Sequence, residues 1–118
     1  MIAICFPVIS VKLAFSIETE AGKSIVNFPL DGFGKTDFRD IEAFDANTAI
    51  IMGIDTPALI LKTIDAGKTW KIVFKDKRPG MFLDAMEFFN AKSGVVIGDP
   101  IDGKIFLAVT VDGGATWQ

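Results

Sequence analysis

Short runs of β-type residues, separated by turn residues, fill the middle of the chain. These runs are rich in Ile, Val, Phe and Thr, and they cover residues 38–44, 48–54, 58–63 and 69–74. Such residue types favour strands. No stretch of ten or more residues shows the 3.6-residue hydrophobic period of a helix. The pattern therefore predicts an all-β protein made of short antiparallel strands.

Two segments of the chain are close copies of one another. Residues 63–70 read T-I-D-A-G-K-T-W and residues 110–117 read T-V-D-G-G-A-T-W, so five of eight positions are identical. Upstream of each copy lies a similar seven-residue segment (called a heptad below), F-R-D-I-E-A-F ending at Phe44 and F-L-D-A-M-E-F ending at Phe88. Each segment is followed by a polar turn and by an aliphatic run that ends in glycine. Four short strands that repeat every ~40–50 residues are typical of a β-propeller blade.

A third, weaker copy occupies residues 18–25, where Glu20 replaces the aspartate. The three copies predict a partial propeller of four-stranded antiparallel blades. It would comprise a diverged partial blade in residues 1–36, a complete blade in 37–80 and a blade lacking its last strand in 81–118. About two and a half blades make an incomplete ring. The apolar residues 1–15 are too short to span a bilayer, and we expect them to form a buried strand pair.

The repeated octapeptide has a mechanical explanation at a hairpin turn. Its aspartate can accept hydrogen bonds from backbone N–H groups of the turn, and its glycine permits a positive φ. Its threonine can add a hydroxyl bond, and its tryptophan returns a large apolar surface to the sheet. These residues are Asp65, Gly67, Thr69 and Trp70 in the first copy and Asp112, Gly114, Thr116 and Trp117 in the second. We interpret them as structural residues; the alternative is that the two aspartates bind a metal or act in catalysis.

Both octapeptides resemble the BNR/Asp-box repeat, whose pattern S/T-x-D-x-G-x-T-W they match at every fixed position. The longer units resemble the propeller family of the photosystem II stability and assembly factor and its bacterial relatives, some of which are labelled oxidoreductases. The resemblance implies a β-propeller and suggests a secreted, periplasmic or lumenal protein, although residues 1–15 contain no clear signal peptide. The repeat also occurs in sialidases, other glycosidases and sorting receptors, so it does not specify a function.

Composition argues against several kinds of chemistry. The chain has 12 basic and 15 acidic residues, a net charge of −3, and arginine only at positions 39 and 78. Without a basic run we expect no nucleic-acid partner. It has no histidine, which is the usual general base and the commonest metal ligand. The single cysteine, Cys5, is expected to be a small buried side chain. We expect neither a metal nor a cofactor.

A complete sialidase site, with three arginines and a tyrosine nucleophile, cannot be built from a chain with two arginines and no tyrosine. A generic glycosidase needs two carboxylates across a cleft, and the spacing singles out no pair. The candidates for a ligand- or partner-binding face are Arg39, Asp40, Asp84, Asp55 and Asp99. The two heptads place Asp40 and Asp84 at the same position of two repeats. The alternative role for these aspartates is to cap a turn or to form an interblade hydrogen bond. Residues 99–103 are predicted to form a β-turn.

These observations lead to two hypotheses about function. The first is a non-catalytic propeller module for protein interaction or assembly, whose partner is another protein or further copies of itself. The alternative is a portion of a carbohydrate-binding or glycosidase-like propeller, whose site would need residues from further blades and whose ligand would be a glycan. The lack of a credible catalytic set in this chain favours the first hypothesis.

Overall fold

A computed structural model describes Phe33 and residues 36–54 and 57–118, which form an all-β structure without a helix. The first sheet contains β1 (Phe38–Ala43), β2 (Ala49–Gly53), β3 (Ala58–Thr63) and β4 (Lys71–Asp76) in that order. The second contains β5 (Leu83–Phe88), β6 (Gly94–Ile101) and β7 (Lys104–Thr110). Within each sheet, strands that are neighbours along the chain pair antiparallel, and among the described residues neither sheet closes into a barrel. The prediction of an all-β antiparallel protein is confirmed.

Several of the sequence predictions lie outside the described residues. They are the strand pair in residues 1–15, Cys5, the weak repeat at residues 18–25 with Glu20, and Asp55. Within the described ranges, no helix is long and apolar enough to cross a bilayer.

The predicted bounds of the first three strands agree with the structure to within one residue. The fourth was predicted at residues 69–74, but β4 begins only at Lys71. The reason is that Thr69 still belongs to the turn, where its backbone N–H donates to the carboxylate of Asp65 at 2.8 Å. The fourth strand can begin only after this hydrogen bond has closed the turn.

The first two strands of each sheet are equivalent at an offset of 45 positions. Ile41 pairs with Ile51 in the first sheet, and Met86 pairs with Val96 in the second. Both edge strands carry an irregularity at their start, between Phe38 and Asp40 in β1 and between Leu83 and Ala85 in β5. A β-bulge adds one unpaired residue to a strand. The two sheets therefore share a bulge as well as a pairing pattern.

The alignment of the two heptads, in which Asp40 matched Asp84, is wrong by one residue. In the ladders, Asp40 pairs with Met52 and Ala85 pairs with Ile97, so Ala85 is the equivalent of Asp40. Asp84 occupies the bulge, as Arg39 does in β1. Because side chains alternate between the faces of a strand, a slip of one residue changes the face on which each side chain lies.

The hairpin between β6 and β7 is longer than its counterpart in the first sheet. Strand β6 continues through Asp99 to Ile101, and a turn of Asp102 and Gly103, with φ of 53° and 73°, leads into β7. An Asp-Gly pair with positive φ at both positions is the two-residue hairpin turn whose twist suits antiparallel strands. The predicted turn at residues 99–103 is thus confined to two residues, and Asp99 lies inside β6 rather than after it.

Each sheet has two apolar faces, which we name by their side chains in the first sheet. The leading face carries Ile51, Leu59 and Leu61, and its equivalents in the second sheet are Val96, Phe106 and Ala108. The trailing face carries Ile50, Met52, Ala58 and Ile60, and its equivalents are Val95, Ile97, Ile105 and Leu107. The offset is 45 positions for the second strand and 47 for the third, because of the longer β6–β7 hairpin.

The main core lies between the two sheets, where the trailing face of the first packs on the leading face of the second. Its fully or almost fully buried side chains are Ile50, Met52, Ala58, Ile60, Met81, Leu83, Met86, Phe88 and Val96. Phe44 packs edge-on against Phe88 with ring centroids 4.8 Å apart. Burial of an aliphatic or aromatic side chain of this size contributes roughly 1.5–3 kcal/mol, so this interface holds the sheets together.

Candidate interaction surface

We call residues 63–70 and 110–117 the first and second Asp-box, after the repeat that they resemble. The first is closed by hydrogen bonds among its own residues. Oδ1 of Asp65 accepts from the Thr63 hydroxyl at 2.9 Å and from the Thr69 N–H at 2.8 Å, and Oδ2 accepts from the Thr69 hydroxyl at 2.5 Å. The Thr63 hydroxyl oxygen in turn accepts from the Gly67 N–H at 2.9 Å. The carboxylate thus joins the end of β3 to Thr69, two residues before β4.

The second Asp-box repeats this arrangement almost atom for atom. Asp112 accepts from the Thr110 hydroxyl at 2.8 Å, the Thr116 N–H at 2.9 Å and the Thr116 hydroxyl at 2.6 Å. These donors, with the Thr116 hydroxyl foremost, lower the pKa of Asp112 from 3.8 to about 2. Those from Thr69 lower the pKa of Asp65 in the same way. Hydrogen bonds to a carboxylate favour its charged form. Both box aspartates therefore serve as charged hydrogen-bond acceptors within the turn.

The second box also contacts the first sheet. Gly114 has a φ of 77°, and a Cβ built on it would lie 2.3 Å from Cδ1 of Ile50. Trp117 packs edge-on against Phe88 with centroids 5.9 Å apart, and it joins the core between the sheets. In the first box, Trp70 packs against the leading-face cluster instead. The second box therefore supplies a side chain and backbone to the contact between the two sheets, whereas Trp70 of the first box packs on its own sheet.

Two of the candidate polar residues lie at the seam between β1 and β5. Oδ2 of Asp40 accepts from the Met86 N–H at 3.0 Å, which joins the two sheets. The guanidinium of Arg39 lies 5.1 Å from the centroid of the Phe82 ring. Sequence reasoning counted Glu42 among the acidic residues but did not single it out; its pKa is raised by burial and then by the nearby charges of Glu87 and Asp40. The signal was present, because Glu42 and Glu87 are equivalent at the 45-position offset.

Of the other candidate polar residues, Asp84 and Asp99 lie in the second sheet, and Asp55 lies outside the described residues. Asp84 is partly buried at the β5 bulge, and Asp99 is exposed on β6, with its backbone N–H bonded to the Phe82 carbonyl oxygen at 2.9 Å. Among the described residues, no three of the His, Cys, Asp and Glu side chains are grouped in a way that could hold a metal ion.

A shallow cavity of about 400 Å³ lies between the first sheet and the second Asp-box. Its lining comprises Lys62, Ile64, Thr69, Lys71, Val73 and Ala115. The ammonium of Lys62 donates to the Gly113 carbonyl oxygen at 2.8 Å, and the hydroxyl of Thr69 is bonded to Asp65. The lining supplies no carboxylate, and two of its polar groups are engaged in holding the boxes. We interpret this cavity as a consequence of the sheet–sheet packing.

The trailing face of the second sheet is an exposed apolar surface. Ile97 is 38% exposed and Leu107 57% exposed, whereas their equivalents Met52 and Ile60 are fully buried. We call this surface the open trailing face and define it by six residues. They are Phe89, Val95, Ile97, Ile105, Leu107 and Val109. Contiguous exposed apolar patches on a protein surface mark sites of interaction.

The edge of the second sheet next to this face is also open within the described part of the chain. Val109 and Gln118 exchange two backbone hydrogen bonds of 2.8 and 3.0 Å, which repeats the pairing of Lys62 with Lys71 in the first sheet. Strand β7 is the edge strand of its sheet, whereas β3 is covered along its length by β4. An uncovered strand edge offers unpaired N–H and C=O groups to another chain.

Comparison of the chain with protein-family models, with curated proteins and with solved structures gave no match. Its function is therefore argued from the geometry of the sheets and their surfaces.

Proposed function

We propose that this chain is a partial β-propeller built from BNR/Asp-box blades, and that it acts without catalysis, in protein interaction or assembly. The two sheets support this architecture because they share their pairing pattern, a bulge in the first strand and the hydrogen bonds of the Asp-box. They also pack trailing face to leading face, which is the arrangement that a ring of blades requires.

The open trailing face is the single observation that carries the proposed role. Four of its side chains stand at positions that the first sheet buries completely against a neighbouring sheet. They are Val95, Ile97, Ile105 and Leu107. Burial of such a surface by a partner releases water from apolar groups, at roughly 25 cal/mol per Å². The carboxylates that the repeat itself supplies are engaged in closing turns, so the repeat contributes binding surface rather than reactive groups.

A photocrosslinking experiment tests this role. A photoreactive phenylalanine analogue replaces Leu107 in the full chain, in the cells that make the protein, and the products are identified by mass spectrometry. The matched control carries the analogue at Ile41, which is 58% exposed against 57% for Leu107 but lies on β1, away from the open trailing face. We expect protein–protein crosslinks from position 107 and far fewer from position 41.

Three results would contradict the proposal. Equal crosslinking from the two positions would show that the face is not a specific surface. A lack of protein crosslinks at position 107 would show that no protein partner binds the open trailing face. Robust turnover of glycoside substrates by the purified chain would replace the proposal with the glycosidase-like alternative.

A further inference from the structure

We infer that the outer edge of β7 binds an extended segment of a partner protein, which adds to the second sheet as a fourth, antiparallel strand. The segment has the chemistry of β4 and places an aromatic side chain opposite Leu107. This inference rests on the proposed function and states the form in which the partner is bound.

The first observation is the direction of the backbone groups of β7. Val109 and Gln118 exchange two backbone hydrogen bonds on the outer side of this strand. Alternate residues of an antiparallel strand direct their N–H and C=O groups to the same side, so those of Leu107 and Ile105 also point outward. Within the described part of the chain, no strand lies beside these four groups. They can therefore accept a strand without any change to the pairing of β7 with β6.

The second observation is the strand that covers the equivalent edge of the first sheet. There, β4 pairs with β3, and Phe74 of β4 stands opposite Ile60, which is the equivalent of Leu107. Phe74 packs on the core that contains Ile60. The pair of Val109 and Gln118 repeats the first pair of that ladder, which sets the direction and register of an incoming strand. A strand like β4 therefore fits this edge, and its aromatic ring would cover part of the open trailing face.

The third observation is the low charge of this edge. Charged side chains on the outer strands of a sheet protect it against pairing with other chains. The outer strands β1 and β4 each carry three charged residues and β5 carries two. In β7 the one charged residue is Lys104, at the first position, and residues 105–110 read I-F-L-A-V-T. Of the outer strands of the two described sheets, β7 is thus the one least protected against strand addition.

A labelled hexapeptide with the sequence of β4, K-I-V-F-K-D, is the probe for this edge. Its binding to the full chain is measured by fluorescence anisotropy, and we expect saturable binding of one peptide per chain. Amide hydrogen exchange, followed by NMR, locates the peptide. Exchange should slow at the outward N–H of Leu107 far more than at that of Ala108, which already pairs with β6.

Two N-methylated forms of the hexapeptide separate strand pairing from apolar adhesion, because they have the same composition. A methyl group on the phenylalanine nitrogen removes the N–H that faces Leu107 and should weaken binding by about tenfold. A methyl group on the next lysine replaces an N–H that points away from β7 and should leave binding unchanged. In the chain itself, Leu107→Pro removes the outward N–H and should abolish binding, since edge strands tolerate proline where its nitrogen faces solvent.

Each other result overturns the inference. These are a lack of saturable binding at millimolar peptide, equal weakening by the two methyl groups, or binding that a folded Leu107→Pro variant retains. A wild type that is a dimer in light scattering, and that becomes a monomer in this variant, would place a second copy at the edge instead. If Leu107→Pro lost its far-ultraviolet circular dichroism, the two methylated peptides and the exchange at Leu107 would decide.

The same measurements separate this inference from the proposed function. Protein crosslinks from position 107 without any binding of the hexapeptide would remove the added strand and keep the proposed function. Specific binding of the hexapeptide without protein crosslinks from position 107 in the cell would do the reverse.

Discussion

Gly114 lies against Ile50 across the two sheets, so closely that a side chain at position 114 would displace the end of Ile50. A Cβ on Gly114 would lie 2.3 Å from Cδ1 of Ile50, and the φ of 77° at this glycine is one that other residues rarely adopt. The second Asp-box is thus a contact between sheets as well as a hairpin turn. Its glycine carries two constraints, one from its own turn and one from the neighbouring sheet.

Gly114→Ala should therefore lower the free energy of unfolding by about 2–4 kcal/mol, which combines left-handed backbone strain with overpacking. Urea denaturation measures the loss. Gly103→Ala is the matched control, since Gly103 has a φ of 73° but nothing within 4 Å of its built Cβ. It should lose only about 1–2 kcal/mol. Equal losses at the two positions would mean that the box does not press on Ile50.

Ala66→Gly should raise the free energy of unfolding. Ala66 has a φ of 59° in the first box, where the second box has Gly113 with a φ of 70°. Relief of the left-handed strain outweighs the added freedom of glycine in the unfolded chain, for a net gain of about 0.5–1 kcal/mol. Thermal unfolding measures it. Ala46→Gly, at an exposed turn residue without a positive φ, should instead be destabilising, and a gain there as well would remove strain as the explanation.

Asp112 should make stability depend on pH at the acid end. Its pKa in the folded chain is about 2, below the ordinary 3.8, chiefly because the Thr116 hydroxyl donates to it. A carboxyl whose pKa is lowered by folding stabilises the protein fully above its unfolded pKa, and this contribution is lost as the pH falls from about 4 through about 2. Denaturation of wild type and Asp112→Asn across this window should show a shallower slope for the variant.

Carbon-13 NMR titration of the Asp112 carboxyl gives a direct check of the same prediction. The midpoint should lie near pH 2 in wild type and move towards the ordinary value in Thr116→Val, which removes the main donor. A midpoint near 3.8 in wild type would show that the box hydrogen bonds are not maintained in solution.

Asp40→Ala should cost about 1–3 kcal/mol of unfolding free energy, because it leaves the partly buried N–H of Met86 without its acceptor. Asp84→Ala should cost less, since Asp84 stands at the β5 bulge and is not the equivalent of Asp40. Chemical denaturation of both variants measures the difference. If the two substitutions cost the same, the hydrogen bond from Met86 to Asp40 would contribute no stability that the side chain of Asp84 lacks.

The sequence predicted what is decided over short distances along the chain. Strands follow from the types of residue in each run, and the Asp-box turn follows from donors and acceptors that lie at most four positions apart. The roles of Asp65, Gly67 and Thr69 in this turn could be predicted because all their hydrogen-bond partners belong to the same octapeptide. The all-β class follows from the same local rules.

Register could not be predicted in this way. Two heptads ending in phenylalanine suggested that Asp40 matched Asp84, but the bulges and ladders place Asp84 at the position of Arg39. The bond from Asp40 to Met86 joins residues 46 positions apart. Such a contact depends on how one sheet packs on another, and no local pattern encodes it.

Exposure of the trailing face was decided by tertiary structure alone. Ile60 in β3 and Leu107 in β7 stand at the same place in the same kind of strand, and nothing in their immediate sequence separates them. Ile60 is fully buried because the second sheet lies on it, and Leu107 is 57% exposed because no described sheet lies on that face. Residue type determines that a side chain gains free energy from burial, but the neighbour that buries it is a property of the assembled fold.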